Sequence, residues 1–336
     1  MSGDRSGSGA YGAAVAVVLG APLLLAGCGG KENILHPHSH AEHRISVVWW
    51  VTMIGAWIGF GVVVFGLFLG WWRRNRPNLP FGGGERAATL LVIGLGVGVP
   101  IVVLSLLFVW ADIFVIRSTD APAASSTSLT VKVIGHQWWW EVRYPATKAV
   151  TANEIHIPVG TRVNVVGTTA DVIHSIWVPE LNRKIDVIPG RTNSMLWDAD
   201  RPGVYEGRCS EFCGLQHAHM SLLVFAQPRA QYEAWLRKEA KPAAASTLTG
   251  ARVFLSHACS GCHQIRGTGA RGLVGPDLTH LMSRTTLAAA TFANTGDDLA
   301  NWIIDPQHFK PGNKMPALNI SGPDLDALLA YLRSLK

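Results

Sequence analysis

Two long stretches in the first third of the chain contain no ionisable side chain, residues 45–72 and residues 87–111. Each exceeds the about 20 apolar residues that a helix needs to cross a bilayer core. The pattern therefore predicts two transmembrane helices, at 45–72 and 87–116, rather than two core helices of a soluble domain. Tryptophans lie near both ends of the first stretch, as at membrane interfaces: Trp49, Trp50, Trp71 and Trp72.

The segment between these stretches is rich in arginine. Arg73, Arg74, Arg76 and Arg86 are opposed by a single acid, Glu85. Cytoplasmic loops of membrane proteins carry such an excess of positive charge. The loop is therefore predicted to be cytoplasmic, which places everything after the second helix on the extracytoplasmic side.

A shorter apolar run precedes both stretches. Residues 11–27 are interrupted by Pro22 and end in LLLAGC, which resembles the lipobox of bacterial lipoproteins. Residues 1–27 are therefore predicted to be a signal peptide, removed before a lipidated Cys28. An uncleaved anchor is the alternative, because the charged region before the run is weak. Together these features predict a multi-pass protein of the bacterial inner membrane.

Short runs of alternating apolar and polar residues follow from 128 to 227, separated by Pro-Gly or Asn-containing breaks. Successive side chains of a strand point to opposite faces, so this alternation predicts strands and a β-sandwich or barrel. The run LTVKVIGHQWWWEVRY is interpreted as one strand. On such a strand Trp138 and Trp140 share one face and Trp139 takes the other.

The remainder of the chain has a helical pattern. Residues 228–247 are predicted to form a short helix, at 230–239, and a linker, and residues 248–336 an all-α domain. Ser321 is suited to cap the last helix. One face of that helix carries leucines at helical spacing: Leu325, Leu328, Leu329 and Leu332.

Composition adds little beyond this organisation. The chain is 48% apolar and 15% charged, with a formal net charge of +6. Much of that excess is the arginine cluster between the two helices, while the downstream domains are nearly balanced in acids and bases. The high isoelectric point is therefore not interpreted as a nucleic-acid-binding surface.

The motif CSGCH is typical of covalent attachment of a c-type haem, with thioethers to Cys259 and Cys262 and with His263 on the iron. Met315 is predicted as the second axial ligand. Met282 is the competitor, but it lies in a helical-looking stretch. A redox dithiol would need a βαβ context, and half a zinc site would need another free Cys/His pair.

A second cysteine pair, Cys209 and Cys213, lies in CSEFCGLQHAHM. A disulfide is the default for an extracytoplasmic pair, and zinc also accepts cysteine and histidine. However, His217 and Met220 follow at short spacing, and thiolates with a thioether form a soft set that suits copper. Two cysteines favour two metal ions that share thiolate bridges, with His174 as a further ligand.

Longer stretches around these residues carry a resemblance to a known family. GHQWWWEVRY, DVIHSIWVPELNRKIDVIPGR and CSEFCGLQHAHM resemble subunit II of the haem–copper cytochrome c oxidases, over residues 45–227. GPDLTHLMSR and WIIDPQHFKPGNKMPAL, around CSGCH, resemble a class-I cytochrome c domain. The fusion of the two is the arrangement of the caa-type subunit.

The resemblance implies a cupredoxin fold that carries the dinuclear CuA centre. Cys209 and Cys213 would bridge the two coppers, and one histidine would ligate each copper. The implied ligands are His174, Cys209, the carbonyl of Glu211, Cys213, His217 and Met220. The resemblance further implies that the Glu211 side chain faces a magnesium ion at the junction with subunit I.

Further roles follow from the resemblance by position. Trp138 matches the exposed tryptophan through which electrons enter CuA, and Asp171 matches an acidic position where cytochromes dock. Pro276 matches the proline whose carbonyl holds the haem histidine. Trp140 is expected to pack in the core, and Trp139 replaces the family's common tyrosine.

Other histidines are assigned to packing or to the surface: His156, His219, His257, His280 and His308. The tract HPHSHAEH, residues 36–43, has no family counterpart. It is predicted to be a solvated flank before the first helix, with a metal-binding tract as the alternative.

The function that the resemblance implies is electron delivery. A reduced cytochrome or another donor would reduce the haem, CuA would follow, and subunit I of a proton-translocating oxidase would reduce oxygen, with subunit III as a further partner. No side chain is assigned a catalytic role, because the cofactors supply the chemistry. Two alternatives are a similar subunit of a nitric oxide reductase and a copper-delivery lipoprotein without haem.

Overall fold

A computed structural model describes residues 30, 32–74, 84–119 and 126–336 of the chain. The predicted signal peptide, Cys28 and Arg76 lie outside the described residues. The predicted fold class is confirmed: two apolar N-terminal helices precede a β-sandwich, and a helical domain ends the chain.

Two long helices carry the apolar stretches. Helix α1 spans His40–Arg74, and helix α2 spans Glu85–Ile116 with π-helical turns at Gly94–Gly98 and Asp112–Ile116. Both are long and apolar enough to cross a membrane, and their apolar side chains are exposed. Arg44, near the start of α1, donates a hydrogen bond to the carbonyl of Phe114 at 3.2 Å. The first turns of α1 therefore lie beside the end of α2.

Ten strands form the sandwich. They are β1 (Leu129–His136), β2 (Trp139–Tyr144), β3 (Ala149–Ala152), β4 (Glu154–Pro158), β5 (Val163–Thr169), β6 (His174–Trp177), β7 (Ile185–Val187), β8 (Asn193–Trp197), β9 (Gly203–Cys209) and β10 (Ser221–Gln227). One sheet has the order β3-β2-β1-β5-β8 and the other β4-β10-β9-β6-β7. Strands β1 and β5 pair in parallel, as do β4 and β10, and all other neighbours are antiparallel.

The two sheets enclose one hydrophobic core. Trp140 and Trp197 are fully buried in it, which confirms the expectation that Trp140 packs. His156 also has a structural role, because its ring stacks between Phe225 and Trp235. Burial lowers the pKa of His156 to about 4, so the ring is neutral at pH 7.

The run that contains the three tryptophans forms a hairpin, so the prediction of a single strand is wrong. Strands β1 and β2 pair with His136 opposite Trp139, and Gln137 and Trp138 form the turn between them. The backbone N–H of Gln137 donates to the Asp171 carboxylate at 2.7 Å. Gln137 and Asp171 are distant in the sequence, so the local alternation of apolar residues could not predict this hydrogen bond. Trp138 therefore lies on a turn rather than on a sheet face.

The prediction of a solvated flank at residues 36–43 is also wrong in part. His38 and Glu42 are buried, whereas His36, His40 and His43 are exposed. The segment packs against the sandwich through backbone hydrogen bonds, and this tertiary contact overrides its polar composition.

The C-terminal domain begins after helix α3 (Arg229–Glu239) and the linker. Its helices are α4 (Thr249–Ser256), α5 (Cys259–Cys262), α6 (Gly296–Ile304), α7 (Pro306–Phe309) and α8 (Gly322–Ser334), with a short pair of strands, β11 (Thr286–Leu287) and β12 (Phe292–Ala293). Helix α8 buries its leucine face as expected. Ser321 occupies the N-cap position, but its side chain makes no capping hydrogen bond within the described chain, so that expectation is wrong.

Helices α4 and α8 cross at a glycine. A Cβ atom on Gly250 would overlap the backbone carbonyl of Ala327 and crowd the Cβ of Tyr331. Only glycine permits this close approach of two backbones. The first and last helices of the domain therefore meet at this position.

Gly250→Ala is expected to lower the free energy of unfolding of the C-terminal domain by about 1–3 kcal/mol. The overlap with backbone outweighs the about 1 kcal/mol that alanine gains over glycine inside a helix. Thermal unfolding of the full chain, followed by haem absorbance, measures the effect. Gly269→Ala is the matched control, because a Cβ there meets only a Leu255 methyl at 3.6 Å. A Gly250→Ala chain as stable as that control would contradict the prediction.

Candidate metal and haem sites

Strand register brings the first metal-ligating residues together. Strand β9 ends at Cys209, which lies opposite Ile176 on β6. His174 begins β6 and therefore lies near Cys209. The loop after β9 carries Cys213 back toward the sheet, and a single helical turn, His217–His219, precedes β10.

All six predicted copper ligands converge on this loop. The Sγ atoms of Cys209 and Cys213 are 3.8 Å apart. Cys209 Sγ lies 3.8 Å from His174 Nδ1 and 3.2 Å from the carbonyl oxygen of Glu211. Cys213 Sγ lies 3.6 Å from His217 Nδ1 and 3.9 Å from Met220 Sδ. His219, by contrast, is exposed.

The two thiols are close but not bonded. Their separation of 3.8 Å is far above the about 2.05 Å of a disulfide. The shared proton between them lowers the pKa of Cys209 and raises the pKa of Cys213. Both cysteines are 3% exposed. Deprotonation of both thiols would place two negative charges in this buried loop. A bound cation is therefore needed to stabilise the doubly deprotonated form.

The orientation of His174 is set by a carboxylate. His174 is fully buried, and its Nε2 lies 2.9 Å from Oδ1 of Asp171. When Nε2–H donates to Asp171, Nδ1 is left unprotonated and faces Cys209, the form in which an imidazole ligates a metal. Burial opposes the charged ring, but the hydrogen bond to Asp171 raises the pKa of His174 overall. Asp171 thus directs a ligand, and its second oxygen pairs with Lys314 at 3.6 Å.

The chemistry of this donor set fits copper. Two thiols, a thioether and two imidazoles form a soft to intermediate set, which suits copper better than calcium or magnesium. The loop also fits two ions rather than one. Each thiol has its own histidine partner, and Glu211 lies on the Cys209 side while Met220 lies on the Cys213 side.

The four predicted haem residues line one apolar cavity of the C-terminal domain: Cys259, Cys262, His263 and Met315. His263 Nδ1 donates to the carbonyl of Pro276 at 2.8 Å, which leaves Nε2 for an iron ion. Met282 packs against the helical core and is not among the described residues that line the cavity. The walls therefore fit a porphyrin with a histidine and a methionine as axial ligands.

Three neighbouring residues position His263 and Met315. A Cβ on Gly275 would lie 2.5 Å from Cε1 of His263, so glycine is needed beside the ring. The side chain of Gln307 donates to the carbonyl of Met315 at 2.9 Å, and Asn313 accepts from its N–H at 2.7 Å.

Trp138 lies between the two sites. Its indole Nε1–H donates to the carbonyl of Cys213 at 3.0 Å, and the residue is among those that line the haem cavity. Trp139 also lines the cavity, stacks on His136 and contacts Ala289 of the C-terminal domain. Trp139, to which the sequence analysis assigned no role, is therefore part of the contact between the two domains.

Buried polar groups join the two domains. Lys310 is 3% exposed, and its ammonium group donates to the carbonyls of His219 at 2.8 Å, Ala288 at 3.1 Å and Trp138 at 3.4 Å. Burial lowers its pKa to about 8, so the amine is mostly protonated at pH 7 and retains three donors.

A buried carboxylate of the cupredoxin domain makes a second polar contact with the C-terminal domain. Glu154 is 2% exposed and accepts hydrogen bonds from both N–H groups and both hydroxyls of Thr285 and Thr286, at 2.7–3.3 Å. Sequence reasoning missed Lys310 and Glu154. Glu154 lies in no recognisable motif, and the stretch around Lys310 indicated only the haem domain. The hydrogen-bond partners of both residues that lie in the other domain are distant along the chain.

Both domains match families of known proteins. Residues 147–227 match the family model "Cytochrome C oxidase subunit II, periplasmic domain", and residues 248–336 match the model "Cytochrome c". Cytochrome c oxidase subunit 2 of Alkalihalophilus pseudofirmus is 36% identical over 332 residues, which cover 94% of each chain. The chain belongs to the cytochrome c oxidase subunit 2 family.

Other members of the subunit 2 family are similar over all or part of the chain. The Bacillus subtilis protein is 27% identical over 346 residues, which cover 94% of this chain and 95% of the relative. The crystal structure of the periplasmic domain of Bradyrhizobium japonicum subunit II is 32% identical; it covers 35% of this chain and 96% of that domain, with a TM-score of 0.34.

Membership of the subunit 2 family has three consequences. The chain is part of a haem–copper oxidase, its two extramembrane domains imply CuA copper and a haem, and its two apolar helices anchor it in a membrane.

Asp171→Asn is expected to weaken copper binding by about 10–100-fold, the usual effect of losing the carboxylate behind a ligating imidazole. Competition with a copper chelator of known affinity measures the change. Asp186→Asn, at an exposed aspartate, is the control. Lys314→Met shows how much of the effect comes from loss of the Asp171–Lys314 ion pair alone. Copper affinity within two-fold of the wild type would contradict the role given to Asp171.

Proposed function

We propose that this chain is the subunit through which electrons enter a membrane-bound haem–copper oxidase that reduces oxygen. Its C-terminal domain accepts electrons from a reduced cytochrome or another external donor, and its cupredoxin domain passes them to subunit I. The observation that carries the proposal is the place of Trp138, which lines the haem cavity and donates to the carbonyl of Cys213.

The residues of the C-terminal domain would hold one haem. Cys259 and Cys262 would form the thioethers, and His263 and Met315 would be the axial ligands. The carbonyl of Pro276 would orient His263, since a donated Nδ1–H fixes both the ring and its free nitrogen. The apolar wall would exclude water and favour the less charged state of the bound group.

The loop after β9 would hold the copper pair. Cys209 and Cys213 would bridge, with His174, His217, Met220 and the Glu211 carbonyl as terminal ligands. The side chain of Glu211 is exposed, so its carboxylate would be the ligand that this chain gives to a magnesium ion shared with subunit I. When bound, the haem and the copper pair would supply one-electron transfer.

The protein's own contribution is proximity. Trp138 lines the cavity and donates its indole N–H to the copper loop, and Lys310 of the other domain donates to the Trp138 carbonyl. Because the domains share buried polar contacts, we propose that they stay docked while electrons pass. The linker at 241–247 is held as well, since Ala243 N–H donates to the Arg266 carbonyl at 2.9 Å.

The topology is part of the same proposal. Arg73, Arg74, Arg76 and Arg86 would keep the loop between the helices in the cytoplasm, which puts both redox domains on the extracytoplasmic side. Cys28, if lipidated, would add a second anchor on that side. Oxygen reduction and proton translocation would lie in the partner subunit, and subunit III would complete the complex.

Two variants test the proposed function. Cys209→Ser is expected to abolish the mixed-valence copper signal in paramagnetic resonance and to leave the haem spectrum unchanged, because the two sites share no ligand. Met315→Leu is expected to do the reverse, with Met282→Leu as its control. Copper analysis and optical spectra of the purified chain provide the readout. A mixed-valence copper signal that survives Cys209→Ser, or an unchanged haem spectrum in Met315→Leu, would contradict the assignment.

Lys310→Met tests the docked arrangement. The variant retains an apolar stem but removes all three donors, and each hydrogen bond from a charged group contributes about 1.5–3 kcal/mol. Electron transfer between the haem and copper centres is expected to slow at least about ten-fold, a loss of about 1.4 kcal/mol in transfer-competent docking. Proteolysis of the linker should rise. Lys184→Met, at an exposed lysine, is the control, and unchanged rates in both variants would contradict the docking role.

A further inference from the structure

Three hydrogen bonds hold the first part of the histidine tract, before α1, against the cupredoxin domain. The N–H of His38 donates to the carbonyl of Glu180 at 3.0 Å, and its carbonyl accepts from Asp200 N–H at 2.9 Å. Ser39 donates its hydroxyl hydrogen to the carbonyl of Leu181. The backbone of this segment therefore has a fixed position, and α1 begins at the next residue, His40.

This fixed backbone brings three ligand-type side chains together. One ligand atom from each of His36, His38 and Glu180 lies within 4.8 Å of the others. His36 Nδ1 is 3.9 Å from Glu180 Oε1, and the two imidazole rings are 4.7 Å apart. A zinc ion lies about 2.0–2.2 Å from its nitrogen and oxygen ligands, so a small rotation of the exposed His36 ring would close the set.

The buried nitrogen of His38 is the independent sign of a ligand. His38 is 6% exposed, and its Nδ1 makes no hydrogen bond within the part of the chain that the structure describes. Such orphaned groups are rare in folded proteins. The nearest carboxylate oxygen, on Asp200, is 3.7 Å from this nitrogen, which is too far for a hydrogen bond.

Two carboxylates lie beside the histidines, one on Glu180 and one on Asp200. Burial and the nearby Arg201 lower the pKa of His38. Asp200 is already paired with Arg201 at 3.2 Å. The set is therefore His36, His38 and Glu180, with a remaining position for water on the solvent side.

We propose that His36, His38 and Glu180 form a second metal site, separate from the cysteine loop, that binds a divalent ion of the zinc class. Two imidazoles and one carboxylate contain no sulfur, so the site favours zinc over the soft cuprous ion. Its ligands come from both sides of a junction, since the histidines lead into α1 and Glu180 belongs to the sandwich. The bound ion fastens the membrane anchor to the copper domain.

Zinc titration of the full chain in detergent tests this proposal. The protein is first loaded with copper and haem, so that the cysteine sites are filled, and zinc binding is then followed by competition with a chromophoric chelator. One tightly bound zinc ion per chain is expected. Zinc absorption spectroscopy should show nitrogen and oxygen neighbours and no sulfur.

Two variants locate the ion. His36→Ala combined with His38→Ala should lose the tight zinc, and Glu180→Gln should weaken its binding at least ten-fold. His43→Ala, at an exposed histidine of the same tract, should bind as the wild type does. Unchanged copper and haem spectra show that each variant is folded. Equal zinc binding in the wild type and the double variant, or sulfur around the zinc, would overturn the proposal.

Discussion

One buried ammonium group makes the two redox domains a single unit. Lys310 lies in the C-terminal domain, but two of its three acceptors, the carbonyls of Trp138 and His219, belong to the cupredoxin domain. Those carbonyls flank the turn that touches the haem cavity and the turn that carries His217. A charge buried among carbonyls tolerates little displacement, because every lost hydrogen bond leaves a desolvated dipole. The spacing of the two cofactor sites depends on this contact.

Glu154 supports the same contact between the two domains through a separate set of hydrogen bonds. Its carboxylate is saturated by backbone and hydroxyl donors of Thr285 and Thr286, so separating the domains would break all four of these hydrogen bonds at once. A flexible tether would raise only the local concentration of the donor domain. Complementary buried polar groups instead select one orientation, in which Trp138 faces the cavity.

The ligands of the two sites could be predicted from the sequence, but the contacts that hold the two sites close together could not. The spacing of Cys209, Cys213, His217 and Met220 indicated a soft metal loop, and CSGCH indicated haem, because these ligands are close in sequence. The turn at Trp138, the carboxylate behind His174 and the acceptors of Lys310 depend on residues that only the fold brings together. Alternation misled at the hairpin, since an internal two-residue turn preserves the apolar pattern of a longer strand. The burial of His38 was unpredictable for the same reason.

The central claim is that electrons pass between domains that stay docked. The most direct test is the rate of electron exchange between haem and copper in the purified wild-type chain after rapid photoreduction, measured as solvent viscosity is raised with glycerol. A docked pair predicts a rate that does not depend on viscosity or on protein concentration. A rate that falls in proportion to viscosity would show that the C-terminal domain must move to meet the copper site, and would contradict the account.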